Sequence, residues 1–370
     1  MKKNLVGAEK QSPSTILVTG GCGSIGSVFI RQILASSAHT VVNVDALTYA
    51  GNPDNVAMHR GNPRYHFVKC DIADAVALEK VFKKFKPAYV INFAAETHVD
   101  RSVHLGARAF LRTNAEGVLT LLELIRRYPV TKMVQVSTDE VYGSLPLEST
   151  ERFTENSQIA PNSPYAASKA AGDLLCQAYH ETWGLPVVIT RCSNNFGPYH
   201  NPEKLIPFLV LRALSGQTLP IYGDGLNVRD WIYVEDHCQA LALALFHGKP
   251  GEVYNIGARG ERNNLDIALR VARYFGRGKE TLEFFPDRPG HDRRYAIDAT
   301  KIMRELGWRP QADFDTVCTQ TIRWYTENQA WVQRVYKRSG IFHPHARLFE
   351  KKQSTGKKTS PAVRKRQSAK

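Results

Sequence analysis

Short apolar, β-branched runs recur through the first half of the chain, each followed by a stretch with helical spacing. Thr15-Ile16-Leu17-Val18 is the first and Thr40-Val41-Val42-Asn43-Val44-Asp45 the second, with helical periodicity over 27–34 between them. Further strand signals fall at 65–69, 88–93, 132–137 and 186–191, separated by intervals long enough for crossover helices. Runs that stay apolar rather than alternating with polar residues belong to strands covered on both faces. Parallel neighbours need a crossover, and helical crossovers supply that cover. The pattern predicts an α/β fold with a doubly wound parallel sheet, a Rossmann-type domain.

Beyond Arg191 the pattern changes. Segments 194–207, 219–231 and 283–298 are rich in Gly and Pro with interspersed Arg, Asn and Tyr, the composition of loops that carry binding groups on a scaffold built elsewhere. They imply a second, smaller substrate-binding domain. The expected partition is a loose leader at 1–13 and a dinucleotide-binding domain at 14–193 plus about 230–257. The second domain and C-terminal helices take 194–229 plus about 258–336, and a basic, disordered tail takes 337–370.

Composition narrows the function classes. No apolar run approaches the ~20 residues of a membrane span, and the basic start of the chain lacks the apolar core of a secretory signal, so a cytoplasmic location is expected. The six cysteines are scattered singly, which reads as buried thiols rather than a metal or redox site. His98 and Asp100 lack a third ligand, so no metal is expected. The net charge of +14 suggests nucleic acid until it is located: from Lys337 onward eleven Lys and Arg face one acid, Glu350, leaving +4 for residues 1–336. A nucleic-acid partner is therefore expected only through the tail, if at all.

The chemistry begins at Thr19-Gly20-Gly21-Cys22-Gly23-Ser24-Ile25-Gly26, between a strand and a helix. Missing side chains let the backbone turn tightly and approach a pyrophosphate, while the helix N-terminus supplies amides and partial positive charge. Asp45 ends the next strand, 19 residues after Gly26, where a carboxylate accepts hydrogen bonds from an adenosine ribose. A 2′-phosphate would be repelled there and Ala46 offers no cation, so NAD is expected over NADP. Tyr165-Ala166-Ala167-Ser168-Lys169 opens a predicted helix to about Trp183, with Tyr165 and Lys169 on one face. A phenol with pKa about 10 becomes a usable base where an ammonium stabilises its phenolate. Thr138 lies just past a strand end and supplies a hydroxyl for the same alcohol. Asp139 and Glu140 follow it directly, an acid–base pair if their environments separate their pKa values.

Together Gly20 to Gly26, Asn92-Phe93-Ala94-Ala95, Thr138 and Tyr165/Lys169 resemble the extended short-chain dehydrogenase/reductase family, whose members mostly act on nucleotide sugars. Longer runs resemble its nucleotide-sugar 4,6-dehydratase branch over 14–331. They include Asn92 through Ser102, Ser137-Thr138-Asp139-Glu140-Val141-Tyr142-Gly143, Arg191-Cys192-Ser193-Asn194-Asn195-Phe196-Gly197 and Asp287-Arg288-Pro289-Gly290-His291. The resemblance implies tightly held NAD, regenerated each turnover, and oxidation at C4, loss of water across C5 and C6 and hydride return to C6. Asp139 is then the acid, Glu140 the base, and Thr138 and Tyr165 the groups at the C4 hydroxyl.

The resemblance also implies cofactor contacts at Gly20, Gly23, Ser24, Ile25, Gly26, Asp45, Ala46, Leu47, Thr48, Asp71, Ile72, Phe93, Ala94, Ala95, Thr97, Thr113 and Asn195, besides Tyr165 and Lys169. For the sugar nucleotide it implies Thr97, Thr138, Asn194, Lys204, Leu205, Pro220, Ile221, Tyr222, Arg229, Asn264, Asp287, Arg288 and His291. Cys22, Ser24, Ala46 and Thr97 depart from the branch's usual residues, as does Ala258-Arg259-Gly260. Thymidine is the default nucleotide, with uridine left open. A sugar-nucleotide epimerase and an idle NAD-binding scaffold with a working basic tail remain the alternatives. A homodimer is implied through helices near 117–127 and 165–183, where Ala166, Ala167, Ala170, Ala171 and Ala178 permit close approach to a partner helix or, equally, to the sheet.

Overall fold

The computed structural model describes residues 12–339. The expected leader, apart from residues 12 and 13, and the expected tail from residue 340 onward lie outside the described residues.

In chain order the strands are β1 (Thr15–Thr19), β2 (Thr40–Asp45), β3 (Tyr65–Lys69), β4 (Tyr89–Asn92), β5 (Lys132–Thr138), β6 (Val187–Cys192), β7 (Asn194–Phe196), β8 (Leu219–Tyr222), β9 (Val228–Tyr233), β10 (Val253–Ile256), β11 (Glu261–Asn263) and β12 (Leu282–Phe285). Seven form one sheet in the order β10-β6-β5-β4-β1-β2-β3, and every pair in it is parallel. β1 lies between β2 and β4, so the winding reverses there, and the carboxyl ends of these strands open a crevice. The six strands expected from the pattern form within a residue or two of their predicted ends. The seventh, β10, has only four residues, Val-Tyr-Asn-Ile, at the sheet edge, too short a run to stand out in the sequence.

One apolar core covers each face of this sheet. The helices Ser24–Ser36 and Val234–His247 pack on one face through Phe29, Ile33, Leu241 and Leu245. On the other, Ala75–Phe85 and Gly117–Arg127 contribute Leu78, Phe82, Leu121 and Leu122. A third core, with Leu209, Ile221, Val271, Ile322 and Trp331, belongs to the smaller domain.

The structure corrects the expected partition at three points. A boundary between 229 and 230 would cut β9, which pairs with both β7 and β11 in a three-stranded sheet. Residues 299–308 were placed in the smaller domain, but Ala299, Ile302 and Trp308 lie in the first core, and Trp308 Nε1 donates to Asp236 O at 3.0 Å. Residues 337–339 are not tail: they end the helix Gln329–Ser339, which buried Trp331, Val332 and Val335 anchor. Among the described residues no helix is long and apolar enough to cross a membrane, and all six cysteines are buried and free.

Candidate active site

The turn after β1 is built from backbone. Gly20 has φ +66, and a Cβ there would stand 2.6 Å from Ala94 N. A Cβ at Gly26 would stand 2.6 Å from Gly20 O, and one at Gly21 would strike Asn43 Oδ1 at 2.3 Å. Only glycine allows strand, turn and helix to close this tightly. Asp45, buried at the end of β2, accepts from Cys22 N at 2.9 Å and Leu47 N at 2.8 Å. Burial pushes its pKa up, and the two amides oppose that shift.

The helix Pro164–Trp183 begins where the side chain of Ser163 accepts from Ala166 N at 3.1 Å, with Pro164 in its first turn, a start that suits both residues. Tyr165 and Lys169 on its inner face are only 7% and 3% exposed, and Lys169 Nζ donates to Val136 O at 2.7 Å. A widened turn at Arg112–Glu116 faces this helix. Its Asn114 side chain accepts from Glu96 N and donates to Glu96 O, both at 3.0 Å, and to Ser168 Oγ at 2.8 Å. One buried amide thus ties the loop after β4 to the Tyr–Lys helix.

Thr138 ends β5 and caps the single turn Asp139–Tyr142. Its Oγ1 donates to Asp139 Oδ1 and accepts from Glu140 N, both at 3.3 Å. Asp139 is 2% exposed, and its Oδ2 has no partner among the described residues. Burial, then Glu140 and Asp230, hold the Asp139 pKa well above the ordinary carboxyl value. Burial also raises Glu140, but Arg288, Arg229 and Lys204 pull it back. Two adjacent carboxyls therefore sit in different fields, one favouring the protonated acid and the other partly favouring the carboxylate. Burial and Glu140 hold Tyr165 above its usual pKa, with Thr138 opposing through a hydrogen bond, while burial lowers Lys169.

A single cavity of about 460 Å³ brings most of the predicted residues together, within the usual range for ligand sites. Its wall includes Gly20, Gly23, Ser24, Ile25, Gly26, Asp45, Ala46, Thr48, Asp71, Ile72, Phe93, Ala94, Ala95, Thr97, Thr113 and Asn195. Thr138, Asp139, Glu140, Tyr165, Lys169, Asn194, Lys204 and Leu205 share it. The glycine cradle, the carboxylate at the end of β2 and the Tyr–Lys pair fit a nicotinamide dinucleotide.

Nine predicted residues lie off this wall. Leu47 takes a left-handed bend, φ 56, and packs against the first core, so its part at Asp45 is played by its backbone amide. Ile221 is turned into the core of the smaller domain, and Pro220 is buried beside it in β8. Asn264 starts the helix Asn264–Tyr274, its amide donating to Asn227 O at 3.1 Å. Arg229 Nη2 donates to Asp292 O at 3.0 Å, and its guanidinium lies 4.3 Å from the Tyr295 ring centre. Arg288 pairs with Asp100 at 3.0 Å. His291 Nδ1 lies 2.5 Å from exposed Asp287, with Tyr222 edge-on to the His291 ring. Arg229 and Arg288 nonetheless act on Glu140, which puts them just behind the wall.

The wall also holds Glu96, inside the span Phe93 to Thr97 that the resemblance sets along the cofactor, whereas sequence reasoning missed Ser137, Cys192, Ser193, His200 and Trp231. Burial lifts the Glu96 carboxyl to about 7. Ser137 opens the run 137–143, and its place next to Thr138 could have nominated it. His200 arrives from the loop after β7 and Trp231 from β9.

Sheet order, glycine turn and buried Tyr–Lys pair define an enzyme class, the extended short-chain dehydrogenase/reductases. The family model described as GDP-mannose 4,6 dehydratase matches residues 17–321. The dTDP-glucose 4,6-dehydratase of Xanthomonas campestris pv. campestris (strain B100) is 48% identical over 340 residues, covering 87% of this chain and 96% of that protein. The crystal structure of the Streptomyces venezuelae dTDP-glucose 4,6-dehydratase with NAD and TYD bound is 47% identical, with TM-score 0.84 over 87% of this chain and 99% of that one. That of the Bacillus anthracis str. Ames enzyme in complex with NAD is also 47% identical, with TM-score 0.81 over 87% and 99% of the two chains. The chain belongs to this nucleotide-sugar 4,6-dehydratase family, on the branch of the dTDP-glucose 4,6-dehydratases.

Proposed function

We propose that the protein is a dTDP-glucose 4,6-dehydratase, an NAD-dependent hydro-lyase that converts dTDP-glucose to dTDP-4-keto-6-deoxyglucose and water. The observation that carries this reading is the placing of Asp139 and Glu140 on one cavity wall with Thr138 and Tyr165. An epimerase needs only reversible oxidation and has no use for the additional acid and base.

Gly20, Gly23 and Gly26 would cradle the pyrophosphate of NAD, and Asp45 would hold its adenosine ribose. When bound, NAD supplies a two-electron acceptor at C4 that later gives the same hydride back at C6. Tyr165 takes the proton of the C4 hydroxyl, with Thr138 orienting that hydroxyl and Lys169 stabilising the phenolate. The new ketone acidifies C5, whose proton passes to the Glu140 carboxylate. Asp139 protonates the C6 hydroxyl, which leaves as water. Glu140 returns its proton to C5 as C6 is reduced. Over a turnover Tyr165 has gained one proton and Asp139 has lost one, and the Thr138 hydroxyl, bonded to Asp139 and acting on Tyr165, is the route between them.

Lys204, Arg229 and Arg288 would bind the diphosphate, since charged donors in a buried site are strong and directional. Asn194, Leu205, Pro220, Tyr222, Asn264, Asp287 and His291 complete the nucleotide-sugar site in this reading, with Ile221 supporting them from the core of the smaller domain. The protein acts in the cytoplasm as a homodimer. The helices Gly117–Arg127 and Pro164–Trp183 leave Leu119, Leu174 and Trp183 37%, 52% and 50% exposed, an apolar face that suits a second copy.

The test is incubation of purified protein with dTDP-glucose and with UDP-glucose in parallel, followed by mass and NMR analysis. A 6-methyl ketone with loss of water from dTDP-glucose is expected. A product that keeps its C6 hydroxyl refutes the dehydratase, and a preference for UDP-glucose refutes the thymidine assignment.

A further inference from the structure

Behind the Tyr–Lys pair, on the side away from the cavity, the same helix carries a carboxylate that the reaction above does not use. Asp173 lies one turn beyond Lys169 and is 0% exposed. Its Oδ2 accepts from Arg191 Nε at 2.9 Å, and Arg191 is itself only 1% exposed. Arg191 Nη1 donates to the Tyr142 hydroxyl at 3.1 Å, which donates to Asn255 Oδ1 at 2.7 Å. The guanidinium is thus held from two sides, and neither charge reaches solvent.

Such a pair needs a reason. Withdrawing two charges from water costs several kcal/mol per ion, and well-packed apolar residues often serve stability as well. Helix stabilisation is not that reason, because Lys preceding Asp by four residues is the weaker order. What distinguishes the site is a third buried charge, the Lys169 ammonium, which donates a hydrogen bond to Val136 O. Burial drives Lys169 toward neutrality, and Asp173 is the foremost influence opposing this. The other titratable groups acting on this trio are Cys176 on the same helix, Cys192 on β6 and Tyr142 after β5, while Asp139 and Glu140 act on Tyr165. Burial pushes both thiols up, Cys192 to about 12, so they stay neutral.

We propose that Asp173, held by Arg191, is a positioning residue for Lys169: it cancels the Arg191 charge, keeps the ammonium protonated beside Tyr165, and so sets the pH at which Tyr165 accepts the C4 proton. Lys169, Asp173 and Arg191 together carry one net positive charge. Removing Asp173 leaves two buried cations, and Lys169 sheds its proton. Removing Arg191 leaves an uncancelled anion that opposes the phenolate. Removing both restores the single positive charge.

This inference rests on the proposed role of Tyr165, and the experiment separates the two. The pH dependence of C4 oxidation in the NAD-loaded enzyme is measured for Asp173→Asn, Arg191→Met and the double variant. Each single change is expected to move the acid limb about one unit or more to higher pH, the size of shift a nearby charge produces, with KM for the sugar nucleotide little altered. The double variant is expected to return to the native position. Arg191→Met leaves Asp173 facing Lys169, so it guards against failure of Asp173→Asn to fold. A second readout needs no turnover: with 15N-lysine-labelled protein, the Lys169 Nζ signal, assigned by its loss in Lys169→Met, should titrate at lower pH in Asp173→Asn. Single variants with a lowered melting temperature but an unmoved limb and unmoved Nζ titration would mark the pair as structural and overturn the proposal. Undiminished C4 oxidation in Tyr165→Phe would instead overturn the role of Tyr165 itself.

Discussion

The two walls of the cavity are made differently. On the Rossmann side, contact is made by main chain and small residues: Gly20, Gly23 and Gly26 come from one turn, and Asp45 is fixed by two neighbouring amides. The smaller domain offers long cations, and each is tied to a partner far away in sequence. Lys204 Nζ donates to Thr97 O at 2.8 Å, Arg288 to Asp100 at 3.0 Å, and Arg229 to Asp292 O at 3.0 Å. A backbone cradle is preorganised and has little freedom to lose. A cation held by an internal acceptor must exchange that acceptor for a phosphate, so it gains only the difference between them. The first wall suits a ligand kept through every turnover, and the second suits one that arrives and leaves.

That contrast can be broken at several points. The largest effect belongs to the residues between the walls. Glu140→Gln should lower product formation by about 10³-fold, in line with loss of a general base, while C4 oxidation persists. Solvent deuterium should no longer appear at C5, and normal exchange there would remove Glu140 from its role. Next is Gly26→Ala, whose Cβ would meet Gly20 O at 2.6 Å and Gly21 Cα at 2.9 Å. Both obstacles are backbone, so NAD affinity measured by calorimetry should fall about 10-fold or more, a strain cost of about 1–3 kcal/mol. An unchanged affinity would show that the cradle yields. Smaller again, Lys204→Met and Arg288→Met should each raise KM for the sugar nucleotide about 10-fold, the worth of a charged hydrogen bond, with kcat falling only at lower pH, where Glu140 has lost a cation that favours its carboxylate. A fall in kcat at constant KM would move these cations into the chemistry.

The smallest effect is on stability. The Asp139 pKa is raised on folding by burial, so the folded state holds its proton more tightly than the unfolded one. Native stability from this group is therefore full below the ordinary carboxyl pKa and declines as pH rises through the raised value. Asparagine has no such dependence. The melting temperature of Asp139→Asn should gain on the native protein as pH rises from 4 toward neutrality, even as dehydration fails. A gap that does not vary with pH would show that folding leaves the Asp139 pKa at its unfolded value.

The first wall was legible in the sequence because its parts are local. A strand, three glycines and a helix follow one another within twelve residues, and Tyr165 and Lys169 share a helix face by spacing alone. The β2 carboxylate lies a fixed crossover away. The second wall was legible only as a set of names. Ile221 faces the core of its own domain, a side on which a four-residue strand gives no hint. Leu47 contributes its amide rather than its side chain. Residues 299–308 return to the first core because Trp308 reaches Asp236, a contact that no local pattern predicts.

The doubly wound parallel sheet, the glycine turn and the row Thr138, Asp139, Glu140 at the end of a strand follow from local residue order, because periodicity, chain stiffness and missing side chains act over a few residues. That these two carboxyls feel different fields, and that Asp173 lies buried between Lys169 and Arg191, came from packing. Desolvation and charge pairing depend on what packs alongside, and here the partners come from strands and loops that adjoin only once the chain has folded.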